Sequence, residues 1–176
     1  MRAPAWLVLV GVLAALALWR RDDIAEGVAR VYYATTQDSR ENEERYAPEI
    51  AAAEARYGIP AGLLHRLIYQ ESRFRSDIIS GEVVSSAGAI GIAQIVPRFH
   101  PGVDPLDPLA SIDYAAGYLA RLHNQFGSWR LALAAYNWGP GNLSRHLREN
   151  GELVLAELPR ETRDYVEQIT AEVSVA

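Results

Sequence analysis

From Tyr46 to the C-terminus, apolar residues recur three and four positions apart, and glycine or proline interrupts the pattern at short intervals. That spacing stacks apolar side chains on one face of a helix and differs from the strict alternation of a half-buried strand. The chain is therefore expected to be mainly α, built from several short amphipathic helices that bury their stripes against one another. A first helix is expected over roughly Pro48 to Tyr57, stopped by Gly58 as a C-cap residue. Pro60 suits the first turn of a second, which runs to about Phe74. Ser111 is read as the cap of a third, with Ile112, Ala115, Ala116, Leu119, Leu122 and Phe126 on one face and Gly127 at its end. Ser128 is read as the cap of a fourth, with Trp129, Ala132, Leu133 and Tyr136 aligned and Gly139-Pro140-Gly141 as its terminator. A last helix starts near Pro159 and carries Tyr165, Val166, Ile169 and Val173. Between the second and third, residues 76–105 are rich in Gly, Ser and Pro, with β-branched pieces at Ile78-Ile79 and Val83-Val84. These read as loops with a minor β-hairpin.

The 176 residues are enough for one domain and an appendage. Three parts are expected: residues 1–21 as a hydrophobic anchor or signal, 22–45 as a polar juxtamembrane spacer, and 46–176 as a compact helical domain. Ala5 to Trp19 is uncharged, between Arg2 and Arg20-Arg21. Its length is near the lower limit for a membrane-spanning helix. The expected reading is an uncleaved anchor whose flanking charges leave its orientation open: Arg20-Arg21 favour a cytoplasmic C-terminal side, Arg2 with the terminal amine favours export. An inner-membrane anchor with the rest of the chain in the periplasm is expected only because the substrate implied below requires export. A cleaved export signal competes, since Ala15-Leu16-Ala17 has the small-x-small form of a cleavage site, and a buried core helix is a third reading. The spacer holds one weak apolar repeat, Ile24, Val28 and Val31.

Several chemistries are excluded or disfavoured. A formal net charge of −5 and the lack of any basic block argue against nucleic acid as a partner. With no cysteine, the chain has no disulfide, thiol nucleophile or Cys-ligated metal. The four histidines, His65, His100, His123 and His146, are scattered, so no metal is expected. No sequence feature calls for a cofactor.

The chemically telling residue is Glu71. It lies seven positions after Leu64, four after Leu67, three after Ile68 and three before Phe74, on the apolar stripe of the second helix. A carboxylate on a buried face is costly unless it is paired or protonated. Desolvation favours the neutral acid and raises its pKa, as a general acid near neutral pH requires. A helix-end glutamate bent toward solvent, or paired with Arg66 or Arg75, fits the same periodicity.

Four blocks surround this reading: Glu71-Ser72-Arg73-Phe74, Ser85 to Pro97 (SSAGAIGIAQIVP), Ala135 to Asn142 (AYNWGPGN), and Glu161 to Val166 (ETRDYV). In this order they resemble the soluble lytic transglycosylase family, over roughly Tyr46 to Val166. The resemblance implies a lysozyme-like α+β fold with a saccharide cleft in a helical, bundle-like domain. It implies peptidoglycan glycan strands as substrate, cut at the β-1,4 bond between N-acetylmuramic acid and N-acetylglucosamine. Glu71 would then be the acid and afterwards the base that closes a 1,6-anhydro ring, with Ser85, Gln94, Tyr136, Asn137 and Glu161 as substrate-binding residues. Internal attack by the sugar needs no second positioned carboxylate, whereas a hydrolase ordinarily does. Asp77, Glu82, Asp104 and Asp107 read as surface groups in loops. The Gly88–Gly91 stretch would let backbone approach a ligand, and Trp138 stands where it could stack on a sugar or pack inward.

Two features depart from the family pattern. The interval from Glu71 to Ser85 is longer than usual, and Ile92-Ala93 and Val96 replace larger residues. A hydrolytic muramidase of the same fold and a non-catalytic wall-binding module of the cell envelope are the competing functions. The sequence names no partner in the envelope machinery.

Overall fold

The computed structural model describes residues 29, 31, 34–150, 157–171 and 173. The chain divides into two compact units, Met1–Asp38 and Ser39–Ala176. In the first, the described residues are helical, and the Thr35 hydroxyl donates back to the Val31 carbonyl at 2.8 Å. No helix among the described residues is long and apolar enough to cross a membrane. The expected inner-membrane anchor, and the localisation built on it, are corrected accordingly. The stretch that suggested it, residues 1–21, lies outside the described residues, as do Ile24 and Val28. Ala5–Trp19 would rise only about 23 Å as a helix, short of the ~30 Å hydrocarbon layer.

The second unit is helical. It contains α1 (residues 39–57), α2 (Leu63–Ser72), α3 (Ser76–Ile79), α4 (Pro108–Phe126), α5 (Trp129–Trp138), α6 (Pro140–Asn150) and α7 (Arg160–Thr170). It begins at Ser39, ahead of the Tyr46 start expected, and Asn42 is already buried in it. The centre is α5, which packs on α4, α6 and α7, while α2 packs on α7. Ala132, Leu133, Ala134 and Ala135 are all fully buried, and the small side chains let neighbouring helices close in. Leu63, Leu64, Leu67 and Ile68 of α2 and Ile112 and Leu119 of α4 are also wholly removed from solvent. Each such side chain contributes about 2 kcal/mol of transfer free energy.

The structure differs from the sequence-based expectation at several places. Asp107, not Ser111, caps α4: its carboxylate accepts from Leu109 N (3.0 Å) and Ala110 N (3.1 Å), with Pro108 in the first turn. Ser111 is buried inside the helix. Ile78-Ile79 end a short helix rather than a strand, and the expected hairpin reduces to one antiparallel bridge, Ile90 with Ile95. Gly139-Pro140-Gly141 does end α5, but it also starts α6. Gly139 takes φ 91°, ψ 137°, a conformation glycine tolerates, and Pro140 opens the next helix.

Candidate active site

Helix α2 is held differently at its two ends. At the start, Gly62 supplies no side-chain cap. The Glu54 carboxylate of α1 takes that role, accepting from Gly62 N (2.9 Å), Leu64 N (2.9 Å) and His65 N (3.2 Å). An anion at a helix N-terminus satisfies otherwise orphaned donors and meets the positive end of the dipole.

At the other end, Glu71 is the penultimate helical residue. The chain leaves through two consecutive non-glycine residues in left-handed conformation, Arg73 (φ 50°) and Phe74 (φ 55°). Such residues cost about 1–3 kcal/mol each and persist only where the surroundings over-determine them. Here Ser72 accepts from Phe74 N (3.2 Å), and the Asn42 amide donates to the Phe74 carbonyl (3.0 Å) and to Ser76 Oγ (2.8 Å). The Phe74 ring itself is fully buried. The turn that ends α2 is thus fixed by a side chain from α1.

The Glu71 carboxyl sits deep among protein atoms, although the residue as a whole keeps an opening to solvent. Its one described hydrogen bond comes from Tyr165 of α7, whose hydroxyl donates to Oε1 at 2.5 Å. Burial is the larger influence and raises the pKa; the Tyr165 bond opposes it; the outcome is about 7. Neither Arg66 nor Arg75 takes Glu71 as a partner. Arg66 donates to the Gln168 carbonyl, and Arg75 pairs with Asp77, whose carboxyl is held below its ordinary range by that guanidinium.

Tyr136 of α5 turns its hydroxyl to the Ala93 carbonyl (3.1 Å) rather than to Glu71. Its phenol is pushed well up by burial first and by the Glu71 charge second, so the two groups sense each other electrostatically. Beside it, the Asn137 carbonyl oxygen accepts from Thr162 Oγ1 of α7 at 2.9 Å. Helices α2, α5 and α7 therefore meet at Glu71, Tyr136, Asn137, Thr162 and Tyr165.

A cavity of about 580 Å³ opens against this group. Its walls include Gln94, Phe99, Tyr118, Tyr136, Asn137 and Trp138. The volume falls within the usual range for small-ligand sites. Glu71 does not line it; its charge reaches the cavity wall at Tyr136.

Of the sequence-predicted site residues, Gln94, Tyr136 and Asn137 share this cavity. Gln94 stands in left-handed conformation (φ 46°) and donates its amide to the Gly91 carbonyl at 3.1 Å, in the turn closed by the Ile90–Ile95 bridge. Ser85 is off the cavity wall, and its hydroxyl accepts from Ala89 N at 2.9 Å to fix a turn. Glu161 is exposed in the first turn of α7 and also off the wall. Gly91 is needed for architecture: a Cβ there would lie 2.0 Å from the Pro105 carbonyl oxygen. The close approach expected for a ligand is made to the chain itself. Trp138 packs against the core and meets His146 edge-on at 5.9 Å. Of the carboxylates expected in loops, Asp77 lies in the first turn of α3 and is in its ion pair, Asp104 and Asp107 accept backbone N–H groups, and Glu82 is exposed.

The sequence reading missed Tyr165 as a partner of Glu71. Periodicity placed it on the inner face of α7, and its position in the last motif block was the only further signal.

Residues 48–157, more than half of the chain, match the family described as Transglycosylase SLT domain. Among solved structures, the crystal structure of the 70 kDa soluble lytic transglycosylase from Escherichia coli is similar, with 28% sequence identity and a TM-score of 0.59. The match covers 72% of this chain and 23% of that one, so this chain corresponds to less than a quarter of that protein.

Proposed function

The chain belongs to the transglycosylase SLT domain family, and from that premise we propose that it is a peptidoglycan lytic transglycosylase with Glu71 as its general acid and base. Residues 46–176 are the catalytic domain in this reading. The observation that carries it is the Glu71 carboxyl, buried at the end of α2 with one hydroxyl donor and a pKa of about 7. Near neutral pH such a group is present in both forms, so it can give a proton and take one back.

In the first step, protonated Glu71 donates to the glycosidic oxygen between N-acetylmuramic acid and N-acetylglucosamine. The C1–O bond breaks, the N-acetylglucosamine end leaves with a new hydroxyl, and positive charge develops at C1. The Tyr165 hydroxyl stabilises the carboxylate left behind, and burial favours its reprotonation. In the second step, the muramyl 6-hydroxyl attacks C1 as its proton passes to Glu71. The 1,6-anhydro ring closes, the acid is restored and no water is consumed. Gln94, Tyr136 and Asn137 bind sugar from the cavity wall, with amide groups suited to acetamido substituents. Ser85 and Glu161 flank the strand farther out.

The test is mass analysis of the muropeptides released from purified peptidoglycan by wild type and Glu71→Gln. Anhydro products, one water lighter than hydrolytic ones and absent with the variant, support the proposal. Hydrated products would make the chain a muramidase, and undiminished release by the variant would remove Glu71 from the chemistry.

A further inference from the structure

Phe99 lines the candidate cavity and is nevertheless 67% exposed. A phenylalanine that open to water contributes little to the core, and Phe99 stands outside it. Its backbone is nonetheless anchored. The backbone N–H donates to the Val96 carbonyl at 2.9 Å in the turn that follows the Gln94 segment. The Arg98 guanidinium carbon lies 4.6 Å from the ring centroid. A cation over one ring face favours this placement of the side chain weakly at an exposed site, so the ring is partly ordered before any ligand arrives. The other cavity tryptophan or phenylalanine, Trp138, already has the core and His146 against it.

We infer that Phe99 is a sugar-stacking platform at the rim of the cavity, presenting its open ring face to the C–H face of an N-acetylhexosamine unit of the glycan strand. The inference rests on the reading of the cavity as a glycan site. The chemistry is that of aromatic recognition: a pyranose has an apolar face of axial C–H groups, and a flat ring covers it at little cost in side-chain entropy. The platform sits on the same wall as the Gln94, Tyr136 and Asn137 groups that would hold polar substituents. Substrate would gain contact area from Phe99 in ground and transition states alike, so the residue acts on binding and not on the chemical step.

Two measurements on the full chain test this. With soluble, uncrosslinked glycan strands, Phe99→Ala is expected to raise KM about five- to twentyfold with kcat nearly unchanged, and Phe99→Trp to keep KM near wild type. The melting temperature should not move, because the ring lies outside the core. A KM within about twofold of wild type, or a loss confined to kcat, overturns the platform. The second measurement needs no turnover. With Glu71→Gln protein, saturation transfer to N-acetylglucosamine oligomers is expected, and Phe99→Ala added to it should abolish or sharply weaken the signal. Equal transfer in both, or none in either, overturns the inference. If the oligomers bind through Phe99 while wild type yields no anhydro product, the lytic reading fails and the platform stands.

Discussion

The two ends of α2 each meet a glutamate, Glu54 of α1 at the start and the helix's own Glu71 at the finish, and their surroundings could hardly differ more. Glu54, 6% exposed, accepts three backbone N–H bonds at the start of the helix. Glu71, at the other end, has one described donor, a tyrosine hydroxyl, and its pKa rises to about 7. The difference teaches that a buried carboxyl with three backbone donors is tied into the fold as a helix cap, whereas one with a single described donor is left to desolvation, which at Glu71 raises the pKa.

Breaking the two ends separately should have opposite consequences. Glu71→Gln is expected to lower activity about a thousandfold or more in a wall-degradation assay. It should not cost stability. A folded-state pKa raised from 4.5 to about 7 means that the native protein holds a proton the unfolded chain has lost. Wild-type stability from this group is therefore full below pH 4.5, declines between 4.5 and 7, and is lower by roughly 3 kcal/mol above that window. The Gln variant should match wild type in thermal melts at pH 4.5 and exceed it at pH 8. A lower melting temperature at pH 8 would contradict this.

Glu54→Ala should do the reverse. Three helix-end donors lose their acceptor, at an expected cost of about 2–4 kcal/mol, seen as a melting temperature lower by roughly 5–15 °C. Activity per folded molecule should persist at permissive temperature. A change of less than about 0.5 kcal/mol would refute the structural role.

A smaller effect is expected at the hydroxyl that tempers Glu71. Tyr165→Phe removes the bond that holds the pKa down, so the basic limb of the pH–rate profile should move to higher pH. The maximal rate should drop about tenfold, since the ionised carboxylate loses its donor. An unshifted limb would separate Tyr165 from the acid. The mildest of the set is Asn42→Ala. Its amide ties the left-handed turn after Glu71 to α1, and its loss should cost about 1–2 kcal/mol in denaturant melts.

Much of this arrangement is legible in the residues. The period of Leu64, Leu67 and Ile68 puts Glu71 on the buried face, and Gly58 and Gly127 end helices where expected, with φ of 65° and 73°. What periodicity cannot express is long-range pairing. Tyr165 meets Glu71 across 94 positions, and Asn42 meets Phe74 across 32, set by helix packing and not by spacing. Local misreadings have local causes. Helix α6 was hidden because a Gly-Pro-Gly run signals an end as strongly as a beginning. Ile78-Ile79 looked like strand because β-branched residues favour one, yet the turn after Phe74 leads into α3. Gly91 drew notice as a place for close ligand approach, whereas the Pro105 backbone lies against it, and the Ser85 hydroxyl also closes a turn.

Titration of the Glu71 side-chain carboxyl by carbon-13 NMR, with Glu71→Gln used to assign the resonance, bears most directly on a shared proton at the end of α2. A midpoint near 7 is expected in the folded protein. A midpoint at or below the ordinary glutamate value of about 4.3 would mean a solvated carboxylate, and the acid–base role would fall with it.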